Sequence, residues 1–171
     1  MQGLIQVYTG DGKGKTTAAL GLALRAAGAG LKVFIGQFLK GAEYSEIKAM
    51  RQLAPGIEIK QYGRRCFIKD KPDEEDIRLA QNGLVEMESV IQSGDYDLVI
   101  LDEANIAVYY NLFSVDELLK VVQNRPKQVE IVITGRNADS RIIAAADLVT
   151  EMREIKHYYQ KGIAARLGIE M

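Results

Sequence analysis

The chain has 171 residues, a formal net charge of −1 from 22 Lys and Arg against 23 Asp and Glu, and 47% hydrophobic residues. That length predicts one domain over 1–171 with a core of its own, the composition excludes a disordered chain, and the charge excludes the global basic bias of a non-specific nucleic-acid binder. The one cysteine, Cys66, cannot form an internal disulfide, the first residues lack a basic leader and no apolar run reaches membrane-spanning length, so a cytoplasmic protein is expected, with neither membrane nor nucleic acid as partner.

In chain order, the first predicted element is a strand over Leu4–Thr9, and the next is a helix over Lys15–Ala29, rich in Ala and Leu and free of proline. Between them runs Thr9-Gly10-Asp11-Gly12-Lys13-Gly14-Lys15-Thr16-Thr17. Strand, glycine loop, Lys-Thr and helix is the arrangement of a phosphate-binding P-loop. Glycines let backbone N–H groups converge on a phosphate with no Cβ in the way, and the helix N-terminus adds positive potential. The usual spacing would put a glycine at position 9, where this chain has Thr9.

Further strands are expected over Lys32–Phe38, Ile57–Tyr62, Leu98–Asp102, Glu130–Thr134 and Leu148–Met152, and further helices near Tyr44–Leu53, Pro72–Ser93, Val115–Asn124 and Asp139–Ala146. Pro72 followed by Asp73, Glu74, Glu75 and Asp76 reads as a helix start, because acids favour the N-terminal dipole. Ser114 with Glu117 is a capping-box pattern. Runs such as Leu98-Val99-Ile100-Leu101 are apolar without alternation, as strands covered on both faces should be. The pattern is α/β: a three-layer P-loop NTPase (RecA-like) fold with a mainly parallel central sheet. Ligands of such sheets bind at the carboxyl ends of the strands.

Two more strand ends carry chemistry. Val99-Ile100-Leu101-Asp102-Glu103 is an apolar strand closing on two carboxylates, the form that in P-loop proteins helps hold Mg²⁺ against the phosphates, with Thr16 as the matching hydroxyl. The competing reading is a strand end with solvated acids. Ile133-Thr134-Gly135-Arg136 ends in a glycine that permits close backbone approach and an arginine able to reach a phosphate; the plainer reading is a turn with a surface arginine.

Taken together, these segments resemble the ATP:corrinoid adenosyltransferases of the P-loop type. The family loop usually reads T-G-N-G-K-G-K-T-T-A-A, so Asp11 stands in place of an asparagine and Thr9 is a family trait. Gln37-Phe38-Leu39-Lys40-Gly41, Asp102-Glu103, Gly135-Arg136, Ala146–Met152, Lys156-His157 and the closing Gly162–Glu170 match in order, over almost the whole chain. The resemblance implies transfer of the 5′-deoxyadenosyl group of ATP to the Co(I) of a reduced corrinoid with release of triphosphate, in cobalamin biosynthesis or salvage. It implies ATP and a reduced corrinoid as substrates, Mg²⁺ as cofactor, a flavoprotein-type reductase as source of Co(I), and a homodimer.

By that resemblance Lys15, Thr16 and Glu103 carry catalysis. Thr9, Gly10, Asp11, Gly12, Lys13, Gly14, Lys15, Thr16 and Thr17 hold ATP with Arg25, Arg136 and His157 as further contacts, His157 acting by charge complementarity. Thr16, Asp102 and Glu103 form the metal shell. Family aromatics that displace the lower axial cobalt ligand follow a glycine after the third strand. Here that segment reads Tyr62-Gly63-Arg64-Arg65-Cys66-Phe67-Ile68, without the Gly-Phe-x-Trp pattern and in a chain with no tryptophan. Phe67, Tyr62 and Arg64 are the corrinoid candidates. A P-loop kinase or ATPase shares the loop and the Asp-Glu pair and differs in its product, ADP instead of triphosphate.

Overall fold

The computed structural model describes residues 2–42, 44–53, 56–64 and 71–170. Six strands, β1 Ile5–Thr9, β2 Val33–Phe38, β3 Ile57–Tyr62, β4 Leu98–Asp102, β5 Glu130–Thr134 and β6 Leu148–Glu151, form one sheet in the order β3-β2-β4-β5-β1-β6, and every pairing is parallel. Helices α1 Lys15–Gly28, α2 Ser45–Leu53, α3 Glu74–Ser93, α4 Ala104–Tyr109, α5 Val115–Gln123 and α6 Ser140–Ala145 connect the strands, and a 3-10 turn, Tyr158–Lys161, follows β6. The architecture is α/β with helices on both sheet faces, as a P-loop NTPase-like fold requires.

Two apolar layers explain why the central strands show no alternation. In β4, Leu98 and Ile100 pack with Ala19, Ala23 and Ile35 on the α1 face, whereas Val99 and Leu101 pack with Phe34, Met87 and Leu118 on the other. Successive side chains of a strand point to opposite faces, and here both faces are covered, so all five positions of β4 are buried. On α1 the buried residues Ala19, Ala23 and Ala26 recur at helical spacing. Their small side chains let the helix lie close to the sheet.

The acidic start of α3 is an N-terminal cap. The Asp73 carboxylate accepts from the backbone N–H of Glu75 and Asp76, and the Asp76 side chain closes the reciprocal bond. Ser114 and Glu117 form the same device on α5. Sequence periodicity shows no helix directly after β4, yet α4 starts there. It spans only six residues, too few for a hydrophobic period to be read. Beyond it Leu112 and Phe113 enter the core, Phe113 meeting Phe38 edge-on at 5.2 Å, while Tyr109 stays exposed.

Tyr62 requires a correction. Its ring is 8% exposed and packs against Phe38 at a centroid distance of 5.5 Å. Two glycines make room for it: a Cβ at Gly83 would lie 2.4 Å from Tyr62 Cγ, and one at Gly36 would lie 3.0 Å from Cε2. The ring therefore belongs to the core between β3 and α3 and offers no face to a substrate. Phe67, with Arg65 and Cys66, lies outside the described residues.

Candidate nucleotide site

The first glycine loop turns sharply because it passes under the chain that leaves β6. Gly10 has φ 92° and Gly14 has φ 120°, both in the left-handed region that favours glycine. A Cβ at Gly10 would lie 2.5 Å from the Met152 carbonyl oxygen, and one at Gly12 would lie 2.7 Å from the same atom. The Gly12 N–H donates to that carbonyl at 2.6 Å. Thr9 ends β1, and its Oγ1 accepts from the Ala138 N–H at 3.3 Å, so the position where a glycine is customary has a local partner.

Gly14 is the N-cap of α1; no side chain caps this end, and no acid occupies its first turn. The helix end is thus open for an anion. Lys15 folds back over the loop, where Nζ donates to the carbonyls of Gly10 at 2.6 Å and Gly12 at 2.7 Å. Burial pushes its ammonium below the ordinary lysine range, with the nearby Glu103 carboxylate opposing that shift.

One turn away lies a carboxylate with all its acceptor positions in use. Asp102, at the end of β4, is 1% exposed. Its Oδ1 accepts from Thr16 Oγ1 at 2.9 Å and Thr134 Oγ1 at 2.7 Å, and its Oδ2 accepts from Gln37 Nε2 at 2.9 Å and Lys40 Nζ at 2.7 Å. Four elements, α1, β5, β2 and the turn after β2, therefore meet on one side chain. Burial disfavours its charge, but Lys40 and the hydroxyl donors outweigh burial and hold the carboxyl below its ordinary range. Asp102 accordingly positions its neighbours and is a poor open ligand.

Glu103 is different. It adopts φ 61°, an uncommon conformation for a residue with a side chain, and caps α4 without a side-chain hydrogen bond. Its backbone N–H donates to Thr134 Oγ1 at 3.0 Å. Burial, followed by the Asp102 charge, raises its carboxyl above the usual range, while Lys40, Lys15 and Arg136 act in the opposite direction. Lys15, Thr16, Glu103 and Arg136 all line one cleft of about 740 Å³ at the carboxyl ends of the strands, a size usual for small-molecule and cofactor sites. A second hollow of about 750 Å³ sits at the opposite edge beside Gly3, Arg125 and Lys127 and contains no carboxylate.

The remaining sequence candidates divide. Asp11, Gly12, Lys13, Gly14, Thr17 and His157 line the same cleft. The His157 ring accepts the Tyr159 N–H at Nδ1, 3.0 Å away. Arg25 stands apart: it lies exposed in the last turn of α1, outside the cleft lining, so its assignment to ATP gains no support. Arg64 is held by α3, with Nε on Asp76 Oδ1 at 2.8 Å and Nη2 on Asp76 Oδ2 at 2.7 Å and on Asp73 Oδ2 at 2.8 Å. It ties β3 to the start of that helix.

Two groups were quoted in the sequence only as part of matching segments and given no role there. Lys40 lines the cleft; its signal was a lysine just past a strand end. The chain's last residues fold back over the loop, where Lys13 Nζ meets Glu170 Oε1 at 3.2 Å and the Ile169 carbonyl at 3.0 Å. Glu170 also accepts from Arg166 and from the Tyr158 hydroxyl. No local pattern announces this contact, which joins residues 157 positions apart.

An α/β sheet with a glycine loop and an acid-tipped strand at its carboxyl edge defines a nucleotide-binding protein of the P-loop NTPase-like class. Family comparison narrows the class: the model described as ATP:corrinoid adenosyltransferase BtuR/CobO/CobP matches residues 1–171, and the chain belongs to that family. Among its relatives, the Corrinoid adenosyltransferase of Pseudomonas aeruginosa is 35% identical over 170 residues, covering 99% of this chain and 84% of that protein. The Escherichia coli K12 Corrinoid adenosyltransferase is 34% identical over 99% of this chain and 86% of its own. Corrinoid adenosyltransferase CobA of Salmonella typhimurium is 33% identical over the same shares, 99% and 86%.

Proposed function

We propose that this chain transfers the 5′-deoxyadenosyl group of ATP to the Co(I) of a reduced corrinoid and releases triphosphate. The observation that carries the reading is the convergence of the open α1 N-terminus, Lys15, Thr16 and Glu103 on one cleft, in a chain of this family. In the reaction a cobalt–carbon bond forms at C5′, the C5′–O bond breaks, and its electron pair leaves on the triphosphate. Co(I) is itself a strong nucleophile, so the protein's work is to orient the substrates and stabilise the departing charge.

Lys15 suits that work. Its ammonium rests on two loop carbonyls, and phosphate oxygens compete for its donors when nucleotide enters. Backbone N–H groups at the start of α1 add donors that need no reorganisation. The oxygen donors fit Mg²⁺, which takes oxygen ligands and keeps several waters: Thr16 Oγ1 lies at the cleft, and Glu103 contributes a half-buried carboxylate with no side-chain cap bond. When bound there, the ion supplies positive charge against the leaving triphosphate. Asp102 then orients Thr16 from behind.

Arg136 and His157 are proposed as nucleotide contacts from their place in the cleft lining. The proposal includes a flavoprotein-type reductase to deliver Co(I), a homodimeric assembly and a cytoplasmic setting. Among the described residues no helix is long and apolar enough to cross a membrane. The test is incubation with MgATP and chemically reduced cobalamin, following the cobalt–carbon bond by its visible spectrum and the phosphate product by chromatography. Adenosylcobalamin with triphosphate is expected; ADP without the bond would point to phosphoryl transfer instead.

A further inference from the structure

A strand end that would be an ordinary loop in sequence is held with unusual tightness here. Leu39, directly after β2, has φ 60°, a left-handed conformation with no glycine to relieve it. Its neighbour Gly41 faces Gly63 across the turn: a Cβ at Gly41 would lie 2.3 Å from the Gly63 carbonyl oxygen, and one at Gly63 would lie 2.5 Å from the Lys40 nitrogen. The two chains touch backbone to backbone, and the Leu39 N–H donates to the Tyr62 carbonyl at 3.3 Å. Strain and close approach thus fix the residue between them, Lys40.

The Lys40 side chain is 14% exposed, and its ammonium sits between Asp102 Oδ2 at 2.7 Å and Thr16 Oγ1 at 3.2 Å. An ammonium has three donors; among the described residues these oxygens account for two, and the side chain lines the cleft beside Lys15 and Glu103. Thr16 is the hydroxyl in the first turn of α1, so the charge is set beside the glycine loop and the open start of that helix, within the same cleft. An anchored cation costs little reorganisation when negative charge grows nearby.

We propose that Lys40 is a further binding residue for the triphosphate portion of the nucleotide, a fixed positive charge that stays with the leaving group through its departure. The inference rests on the proposed adenosyl transfer and assigns a residue to the same site. It also separates the two carboxylates: Asp102 holds Lys40 and Thr16 in place, and Glu103 remains free to face a metal ion.

The experiment measures binding of inorganic tripolyphosphate by calorimetry, with no corrinoid present, to wild type, Lys40→Gln, Lys40→Arg and the double variant Lys40→Gln with Asp102→Asn. Loss of one charge-assisted contact is expected to weaken tripolyphosphate binding about 10- to 100-fold in Lys40→Gln, with adenosine binding unchanged and much of the affinity recovered in Lys40→Arg. Should Lys40→Gln fail to fold, Lys40→Met and Lys40→Arg carry the same comparison. Wild-type affinity in Lys40→Gln overturns the proposal. So does recovery of affinity in the double variant, because Lys40 would then only neutralise Asp102. If wild type itself does not bind tripolyphosphate, the phosphate-cradle reading falls and this proposal with it; normal wild-type binding with an unaffected Lys40→Gln removes the Lys40 assignment alone.

Discussion

Thr16 Oγ1 donates to Asp102 Oδ1 at 2.9 Å, joining the first turn of α1 to the tip of β4 across 86 positions of sequence. Between β4 and β1 in the sheet lies β5, and its Thr134 donates to the same oxygen at 2.7 Å. The glycine loop is therefore referenced to the acid-bearing strand through side chains, not through strand pairing. Removing the carboxylate from this cluster should cost both fold and function. Asp102→Ala leaves the buried Lys40 ammonium without its counter-ion, a change expected to cost about 3–5 kcal/mol. Urea unfolding measures it; a midpoint equal to wild type would show that the cluster does not organise the site.

Lys15→Ala should separate the two roles. Its ammonium is buried and depressed by desolvation, so its loss should leave the fold intact. Adenosyl transfer should fall by at least about 10²-fold, the usual scale for removing one preorganised charge donor. Steady-state rates beside a thermal melt decide, and a fully active variant would remove Lys15 from the leaving-group clamp.

Tyr62→Phe should be silent in catalysis. Its hydroxyl is buried with no partner in good hydrogen-bond geometry, the Glu86 carboxylate being its electrostatic neighbour, so deleting it should leave stability close to unchanged. The KM for corrinoid should not move. A severalfold rise in that KM would return Tyr62 to the corrinoid site. Conversely, Gly83→Ala drives a Cβ to within 2.4 Å of the ring and should destabilise the protein by about 1–3 kcal/mol.

The closing segment should hold through mild acid. Glu170 is kept below the ordinary carboxylate range by bonds from Arg166 and the Tyr158 hydroxyl, with burial acting the other way. A depressed carboxyl contributes stability above its unfolded pKa and loses it only as pH falls through the lower folded value. The protection of the Arg166 N–H, which donates to Glu170 Oε2 at 2.9 Å, should therefore persist as pH passes the free glutamate value of about 4.3. Loss of that protection near that value would mean that the Arg166 and Tyr158 bonds to Glu170 do not form in solution.

How much of this was readable in the chain depends on the range of each interaction. The glycine loop, the acidic start of α3 and the Ser114–Glu117 cap were legible because each is closed within a few residues. The central strands β2, β4 and β5 were legible because burial on both sheet faces leaves an apolar run in the sequence. Tyr62 was misread because an aromatic beside a glycine looks the same whether it points toward a ligand or into Gly83 of a distant helix. Arg25 lies outside the cleft lining, a point the sequence left open because a helix register says which face a residue takes, not how far along the axis the ligand reaches.

By itself, then, the order of residues determined the strand–loop–helix at the N-terminus and the parallel α/β class, since these follow from local backbone chemistry and hydrophobic period, while the family was legible through the resemblance of its motifs. Only the tertiary structure decided that Asp102 is saturated while Glu103 is open, that Lys40 joins the cleft, and that Glu170 returns to Lys13. Those facts depend on which strand ends become neighbours. Packing of the whole sheet sets that order, and no short stretch of sequence contains it.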